Sequence, residues 1–354
     1  MKNKLQRVKW PKGKLSRDKW LKLREELQGV NTYDTVRFGS SDLSTIMGEN
    51  KWSSRKKLFW NLLGMYITEF NSFKLEMGQR YEEVNRESFE CYTVDREGFD
   101  DRFCRKEKLR KLQSPKYFLL NSDYSYSFSS LDFILPKKSV CLFTDEILSV
   151  DRPVETKFVN YNSYSSFKGK PPMYYVIQVM HQIMTLGSDA GYLSVIAGGD
   201  YYDCFYIERD EELISRIDEA CRDFQTRVLK AKSILKMKHE ELESDTPDYA
   251  FIETLDGMIN ELEPEPENTP DLEFVSNELF PETNSLELQG DELAQEYIDK
   301  YIEANERENQ AKKDKVNTRT LITSYMKDFE ILKTPTNKVI NRRTFDGRPY
   351  FSIR

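Results

Sequence analysis

Hydrophobic and polar positions follow two different periods along residues 15–240. Apolar residues recur at the three- to four-residue spacing of amphipathic helices in the stretches 17–28, 53–65 and 75–92, from Pro171 to Gly187, and from Leu213 to Val228. Short runs rich in β-branched and aromatic residues predict strands at 116–121, 129–135, 152–159, 190–197 and 202–207. This order of elements predicts an α/β (α+β) fold in which a central mixed β-sheet is flanked by helices.

The pattern changes beyond residue 240. Residues 241–290 are acidic, interrupted by prolines and low in periodicity, which predicts a linker or a loosely ordered arm. A helical pattern returns at 292–332, and the tail "NKVINRRTFDGRPYFSIR" predicts a β-hairpin that turns at Asp346-Gly347. We therefore expect three parts: a domain at 1–240, an acidic linker or arm at 241–291, and a small C-terminal module at 292–354.

The net charge of −7 hides an uneven distribution of charge. Residues 240–292 hold 18 acidic residues and no Lys or Arg, so the rest of the chain has 42 acidic against 53 basic residues. A basic protein of this kind is compatible with a polyanionic partner. Residues 1–24 hold ten of the basic residues, and this arm either lies along such a partner or only improves solubility. The acidic segment 241–290 either occupies a cleft in the basic part of the protein, as a mimic of a polyanion, or recruits a partner.

Composition excludes several kinds of site. The five cysteines include no C-x-x-C pair, which argues against a disulfide framework, a zinc site and an iron–sulfur cluster. The two histidines, His181 and His239, lie in no nucleophile motif of a serine or cysteine hydrolase. Metal chemistry would therefore use oxygen ligands, which suit Mg²⁺ or Mn²⁺. Without a signal region or a membrane-length apolar run, we expect a cytoplasmic protein.

Candidate chemistry begins in the predicted strand "DRPVETKFVN", residues 151–160. Because side chains alternate along a strand, Glu155 and Lys157 lie on one face, whereas Val154 and Phe158 lie on the face suited to packing against helices. A Glu-x-Lys triplet also occurs by chance, as at residues 49–51. The alternative is therefore an ion pair on a solvated strand edge.

An aspartate upstream strengthens the chemical interpretation. Asp132 follows Leu131 in "SSLDFI", although aspartate is disfavoured inside strands, and 22 residues separate it from Glu155. It is either a strand-ending turn residue or a ligand. Two carboxylates on adjacent strands with a lysine beside them provide what metal-assisted phosphodiester hydrolysis needs. The arrangement D-(x)n-(D/E)-x-K is the signature of the PD-(D/E)XK nuclease superfamily, which has a restriction-endonuclease-like core.

Seven short segments in order sharpen this hypothesis. They are "WLKLR" (20–24), "FGSSD" (38–42), "MGQRYEE" (77–83), "SSLDF" (129–133), "VETKF" (154–158), "PPMYYVIQVMHQ" (171–182) and "YIERDEE" (206–212). In this order the chain resembles the lambda-exonuclease family of phage nucleases, also called YqaJ-type viral recombinases. The resemblance covers most of residues 17–230.

The resemblance implies a catalytic set. Asp132, Glu155 and the backbone carbonyl of Thr156 would bind Mg²⁺ or Mn²⁺, as two ions, and Lys157 would position the attacking water. Glu82 would lie near the metal site, directly or through water, and Gln178 would complete the site. From the residues alone, Glu82 is equally compatible with a solvated helix face and Gln178 with a plain surface position.

The resemblance also implies a substrate and partners. Arg24, Ser41 and Ser130 would bind the 5′-terminal phosphate of DNA, with Arg37 as a rival to Arg24. The implied activity is that of a metal-dependent exonuclease that degrades linear duplex DNA from 5′ to 3′ and leaves single strands for recombination. A structure-specific endonuclease and a non-catalytic DNA-binding protein of the same fold are the alternatives. The family further implies a trimeric homo-oligomer and a single-strand annealing partner. If a phage encodes the protein, the expected location is the cytoplasm of the host cell.

Overall fold

A computed structural model gives the fold. The structure describes residues 5–11, 16–65, 73–91, 110–141, 143, 146–167, 169–199, 201–282, 287–345 and 348–353. The chain divides into two compact units, Met1–Pro281 and Glu282–Arg354. The domain boundaries expected at 240 and 291 stay a prediction.

Helices and strands of the described residues have the following bounds. The helices are α1 Arg17–Gln28, α2 Ser40–Ile46, α3 Arg55–Leu62, α4 Phe73–Cys91, α5 Tyr161–Ser165, α6 Met173–Leu186, α7 Glu211–Leu242, α8 Tyr249–Asn260, α9 Thr269–Phe274 and α10 Glu292–Met326. The strands are β1 Leu5–Lys9, β2 Tyr117–Asn121, β3 Phe133–Leu135, β4 Arg152–Val159, β5 Ala190–Ala197, β6 Tyr201–Glu208, β7 Ile331–Lys333, β8 Val339–Phe345 and β9 Arg348–Ile353.

The central sheet has the strand order β3-β4-β5-β6. β4 and β5 are parallel, and the two outer pairs are antiparallel, so the predicted mixed sheet is confirmed. β5 is buried along its whole length, as expected for a strand covered on both faces. α6 connects β4 to β5 and ends at Gly187, whose φ of 75° is the left-handed conformation that glycine adopts most easily.

Two apolar layers cover the two faces of this sheet. Leu193 and Val195 of β5 pack on one face with the buried sides of α6 and α7. Tyr192 and Ile196 pack on the other face with Phe89 of α4. Close packing at Gly191 fixes α6 on its face, because a Cβ there would lie 2.9 Å from the side chain of Val179. Glu155 and Lys157 pair with Leu193 and Val195, and therefore belong to the face that α6 covers.

The acidic segment is more ordered than the sequence suggested. Its helix α8 buries Ile252, Leu255 and Ile259 in the core, and Asp271 at the start of α9 is fully buried. The three apolar residues are spaced i, i+3 and i+7, which is a helical pattern that the surrounding acids and prolines obscured. The expectation of a loosely ordered arm therefore fails for α8 and α9.

The structure of the N-terminal end of the chain differs from the sequence prediction, whereas the C-terminal end agrees with it. Leu5–Lys9, expected as part of a basic arm, is strand β1 and pairs antiparallel with β2. In the second unit, β8 and β9 pair antiparallel as the predicted hairpin, while its turn at 346–347 lies outside the described residues. Among the helices that the structure describes, none combines the length and apolar character that a bilayer crossing requires.

Candidate active site

Strand pairing brings the two ends of the sequence pattern together. In the antiparallel pair β3–β4, Phe133 lies opposite Val154. Asp132 is the residue before β3, and continuing this register by one residue would set it opposite Glu155, with which it lines the same cavity. Directly opposed residues of antiparallel strands have Cβ atoms about 5 Å apart on the same face. The structure thus explains how 22 residues of intervening chain still leave the two carboxylates as neighbours.

Asp132 is held against β4 by its own side chain. Its Oδ2 accepts hydrogen bonds from the backbone N–H and the hydroxyl of Thr156, both at 2.9 Å. Asp132 directly precedes strand β3 and does not end a strand. At this position its side chain makes the hydrogen bonds to β4. Thr156 is therefore joined to Asp132, and the metal-binding role expected of its carbonyl stays a prediction.

Glu155 is a buried carboxylate, 3% exposed, that is surrounded by donors. Its Oε1 accepts hydrogen bonds from Lys157 Nζ at 2.7 Å and from Gln178 Nε2 at 2.5 Å. Its Oε2 accepts from Gln182 Nε2 at 2.5 Å. Gln178 therefore lies in the cluster, and its role in completing a catalytic site stays a prediction. Gln182 was missed, although its position one turn after Gln178 on α6 is the sequence signal that identifies it.

Glu82 reaches the cluster from α4 on the opposite face of the sheet. The side chain of Asn85, one turn later, donates to the carbonyl oxygens of Lys157 at 3.2 Å and Ser194 at 3.0 Å. Tyr81 stacks on Phe158 with the ring centroids 4.0 Å apart. These contacts fix the helix against β4 and β5, and Glu82 faces the carboxylates rather than bulk solvent.

The carboxyl groups of this cluster repel one another. Burial, followed by the charge of Glu155, raises the pKa of Glu82 to about 7. Burial and the charges of Glu155 and Glu82 raise the pKa of Asp132 well above its usual range. Burial alone would lower the pKa of Lys157, but the Glu155 and Asp132 carboxylates raise it, so its ammonium stays charged. Three acidic groups against one ammonium leave the cluster short of positive charge.

A single cavity of about 500 Å³ joins this cluster to the expected phosphate-binding residues. The sequence-predicted residues that line it are Glu82, Asp132, Glu155, Gln178, Arg24, Ser41 and Ser130. Lys157 joins the cluster through its ion pair with Glu155. Arg37 is not among the described residues that line this cavity, and its guanidinium donates to the carbonyl of Leu27 at 3.2 Å.

Arg24 projects from α1 toward the start of α2. Its Nη2 donates to the Ser41 hydroxyl at 3.3 Å and to Asp42 Oδ1 at 3.1 Å. Asp42 also caps its own helix by accepting from the N–H of Gly39 at 2.8 Å. The arginine is therefore oriented by an acidic side chain while its guanidinium remains at the cavity wall.

Part of this chain matches a known protein family. Residues 19–191 match the YqaJ-like viral recombinase domain. The match confirms the resemblance predicted from the seven segments. It contains Arg24, Glu82, Asp132 and Glu155, and ends within β5.

Individual relatives are more distant. The chain is similar to the uncharacterized protein YqaJ of Bacillus subtilis (strain 168), with 27% identity over 215 residues, which is 59% of this chain and 56% of that protein. It thus spans little more than half the length of this curated relative. The alkaline exonuclease LHK-Exo of Laribacter hongkongensis matches 58% of this chain and 94% of its own at 17% identity, with a TM-score of 0.43. A phage related exonuclease from Haemophilus somnus 129PT matches 56% of this chain and 96% of its own at 13% identity, with a TM-score of 0.36.

The carboxylate oxygen atoms of this cluster are the kind of ligand that a hard divalent cation prefers. Among the described residues, no group of three or more Asp, Glu, His or Cys side chains is arranged so that it could hold a metal ion. Mg²⁺ does not need such a group, since it is usually bound by one or two carboxylates together with water and substrate phosphates. Asp132 and Glu155 provide two such carboxylates, and a cation beside them would offset the burial and mutual repulsion that raise the pKa values of Asp132 and Glu82.

Proposed function

We propose that this protein is a metal-dependent exonuclease that hydrolyses phosphodiester bonds of linear duplex DNA from 5′ to 3′ and leaves single strands for recombination. The viral recombinase domain at 19–191 supports a nuclease function. The observation that carries the finer proposal is the shared cavity, whose wall carries both a charge-deficient carboxylate cluster and an arginine–serine group. The substrate in this proposal is DNA, whose backbone supplies both an internal and a terminal phosphate.

The carboxylate cluster would carry out the hydrolysis. Asp132, Glu155, the carbonyl of Thr156 and Glu82 would hold Mg²⁺ or Mn²⁺. When bound, such ions offset the charge of the scissile phosphate and make water a nucleophile at neutral pH. The ammonium of Lys157, held 2.7 Å from Glu155, would orient the attacking water. Gln178 and Gln182 would keep the Glu155 carboxylate in place during the reaction.

The arginine–serine group would select the end of the strand. Arg24 is a planar donor well suited to bidentate contact with a phosphate, and Ser41 and Ser130 would add hydroxyl donors. Asp42 occupies part of the Arg24 guanidinium at 3.1 Å, so a terminal phosphate would share this arginine with it. Binding of the terminal phosphate would place a nearby internucleotide bond at the carboxylates, which favours cleavage from the 5′ end.

The decisive experiment compares three substrates, each with Mg²⁺ and with a chelator. They are linear duplex with a 5′-phosphate, the same duplex with a 5′-hydroxyl, and a closed circular duplex. We expect cleavage only with metal, fastest on the 5′-phosphate and absent on the circle. Cleavage of the circle would instead support a structure-specific endonuclease, and binding without cleavage of any substrate would support a non-catalytic DNA-binding protein.

A further inference from the structure

A buried polar triangle adjoins the wall of the cavity, and one of its members, Ser40, lines the cavity itself. His181 Nδ1 is 2.8 Å from the Ser40 hydroxyl and 3.2 Å from the Ser129 hydroxyl, and the two hydroxyls are 3.3 Å apart. His181 and Ser129 are completely buried, and Ser40 is 6% exposed. Burying three polar side chains is unfavourable unless their hydrogen bonds are made, so the triangle fixes the positions of the segments that carry them.

Those segments are the ones that carry the expected phosphate contacts. Ser40 directly precedes Ser41, and Ser129 directly precedes Ser130. The two segments are distant in sequence and meet through the backbone of Phe38, whose N–H donates to the Tyr126 carbonyl at 2.8 Å. The imidazole therefore contacts the immediate neighbours of Ser41 and Ser130, and one of these neighbours, Ser40, lines the cavity as well.

The third segment in the triangle is the helix that holds Glu155. His181 lies on α6 between Gln178 and Gln182, both of which donate to the carboxylate of Glu155 at 2.5 Å. One short stretch of helix thus contacts the two phosphate-binding segments through His181 and the catalytic strand through its two glutamines. The spacing between these groups would determine which phosphodiester bond lies at the carboxylates.

The histidine has the properties of a fixed connector. Burial lowers its pKa to about 3, so the ring is neutral at any ordinary pH and carries a single N–H. Its Nε2 has no hydrogen-bond partner among the described residues, so its polar contacts are all on the side of the serines. An ordinary core position would be filled by an apolar side chain without this cost.

We propose that His181 is a positioning residue that sets the spacing between the 5′-phosphate contacts, Ser41 and Ser130, and the carboxylate of Glu155. It therefore determines the preference of the enzyme for a 5′-phosphorylated end. This inference rests on the proposed function, because it assumes that the arginine–serine group binds a terminal phosphate. It assigns to His181 no contact with the substrate.

The test measures kcat/KM on duplex ends that carry a 5′-phosphate or a 5′-hydroxyl. His181→Leu keeps the volume and removes the hydrogen bonds, whereas His181→Asn keeps a polar group near the position of Nδ1. We expect His181→Leu to lower the ratio of the two kcat/KM values about tenfold, because small displacements of binding groups have large effects on rate. The rate on the 5′-hydroxyl end should stay nearly unchanged, and His181→Asn should restore much of the ratio.

His239→Leu is the control for the same substitution at a histidine outside the site. His239 lies exposed on α7, where its Nδ1 is 2.6 Å from the Tyr33 hydroxyl, and it does not line the cavity. The control should leave the ratio unchanged. If His181→Leu does not fold, Ser129→Ala removes one corner of the triangle with a smaller change in volume and should lower the ratio in the same direction.

The outcomes separate this inference from the proposed function. Equal losses on both ends in His181→Leu, or an unchanged ratio, would contradict the positioning role while leaving the nuclease intact. An unaltered protein that cleaves both ends equally would contradict end selection and with it the role of His181. An unaltered protein that cleaves no DNA in Mg²⁺ would overturn the proposed function and this inference together.

Discussion

In the acidic segment 240–292, glutamate side chains form ion pairs with the basic residues of α3, whereas in the cavity the carboxyl groups lie next to one another. Three consecutive basic residues of α3 each pair with a different glutamate: Arg55 with Glu267 at 2.8 Å, Lys56 with Glu263 at 2.5 Å and Lys57 with Glu278 at 2.6 Å. In the cavity, Glu82, Asp132 and Glu155 share the one ammonium of Lys157. Folding pairs the first set with cations and leaves the second with more acidic groups than ammonium groups.

The difference separates stability from function. Residues that are already paired gain little from a ligand and contribute to holding the segment in place. Carboxylates that raise each other's pKa destabilise the fold and persist where a bound cation or substrate offsets the repulsion. Substitutions in the cavity should therefore lower activity without lowering stability. Substitutions that break the contacts of the acidic segment should lower stability without lowering activity.

Asp132→Asn should abolish cleavage and leave stability unchanged or improved. Replacing a carboxylate that is proposed to bind metal with a neutral amide should lower kcat by about 10³-fold, comparable with the loss of a principal electrostatic contact. In the absence of metal, removing one of the repelling carboxylates should not lower the free energy of unfolding. Initial rates and urea unfolding measure the two effects. Glu253→Gln, an exposed acid on α8, is the control and should change neither. Near-normal cleavage by Asp132→Asn would contradict the assignment.

Lys157→Ala should lower cleavage about 100-fold while DNA binding stays nearly unchanged, because the lysine is expected to orient water rather than hold the substrate. It also removes the cation at 2.7 Å from Glu155, so the cluster becomes still more deficient in positive charge. Filter binding in Ca²⁺ and single-turnover rates in Mg²⁺ separate the two effects. Loss of binding in parallel with cleavage would show that the lysine acts on affinity.

Asp271→Ala should have the reverse effect, a loss of stability with intact chemistry. The buried Asp271 accepts hydrogen bonds from the Ser54 hydroxyl at 2.6 Å and from the N–H of Glu267 at 2.9 Å. Leaving such donors unsatisfied costs about 1–3 kcal/mol, which chemical denaturation measures directly. At a temperature where the variant remains folded, its kcat should equal that of the unaltered protein. A variant of normal stability would show that α9 is not held by this carboxylate.

The pH dependence of stability should also differ between the two regions. The pKa of Asp271 is lowered in the folded protein, chiefly by the Ser54 hydrogen bond against the opposing effect of burial, so its contribution is present above pH 4 or so and is lost as the pH falls through the folded value. The pKa of Glu82 is raised to about 7, so stability without metal should fall as the pH rises from about 4.5 to 7. Glu82→Gln should reduce this decline, while the part that comes from the raised pKa of Asp132 remains, and saturating Mg²⁺ should oppose both. A decline that is undiminished in Glu82→Gln would show that Glu82 is not its source.

Much of the first unit was predictable from sequence because its elements have strong local signals. α1 has the predicted bounds, and β4 and β5 match their predicted runs, since period and turn residues agree there. The cluster of Asp132 and Glu155 was predictable only through the ordered segments, because periodicity cannot bring two strands into register. The structure supplies the missing step, the antiparallel pairing of β3 with β4.

Other features depended on tertiary structure and could not be predicted in the same way. Arg24 and Arg37 are equivalent as sequence candidates, and only the fold shows that one lines the cavity while the other bonds to the Leu27 carbonyl. The residues of β1 alternate weakly and form a strand because β2 is present to pair with them. In the acidic segment, composition obscured a short apolar stripe that the core stabilises.

The hydrogen bonds that Asp132 and Glu155 already accept affect how a metal ion and a substrate would bind. An ionised carboxylate offers about four lone-pair sites. Donors on the chain already occupy three on Glu155 and two on Asp132. The protein alone thus offers an incoming ion few open positions, and oxygen atoms of the nucleic acid would have to supply the others. Ion and substrate would then enter as cooperative ligands, each raising the affinity of the other, and the free enzyme would hold its metal weakly.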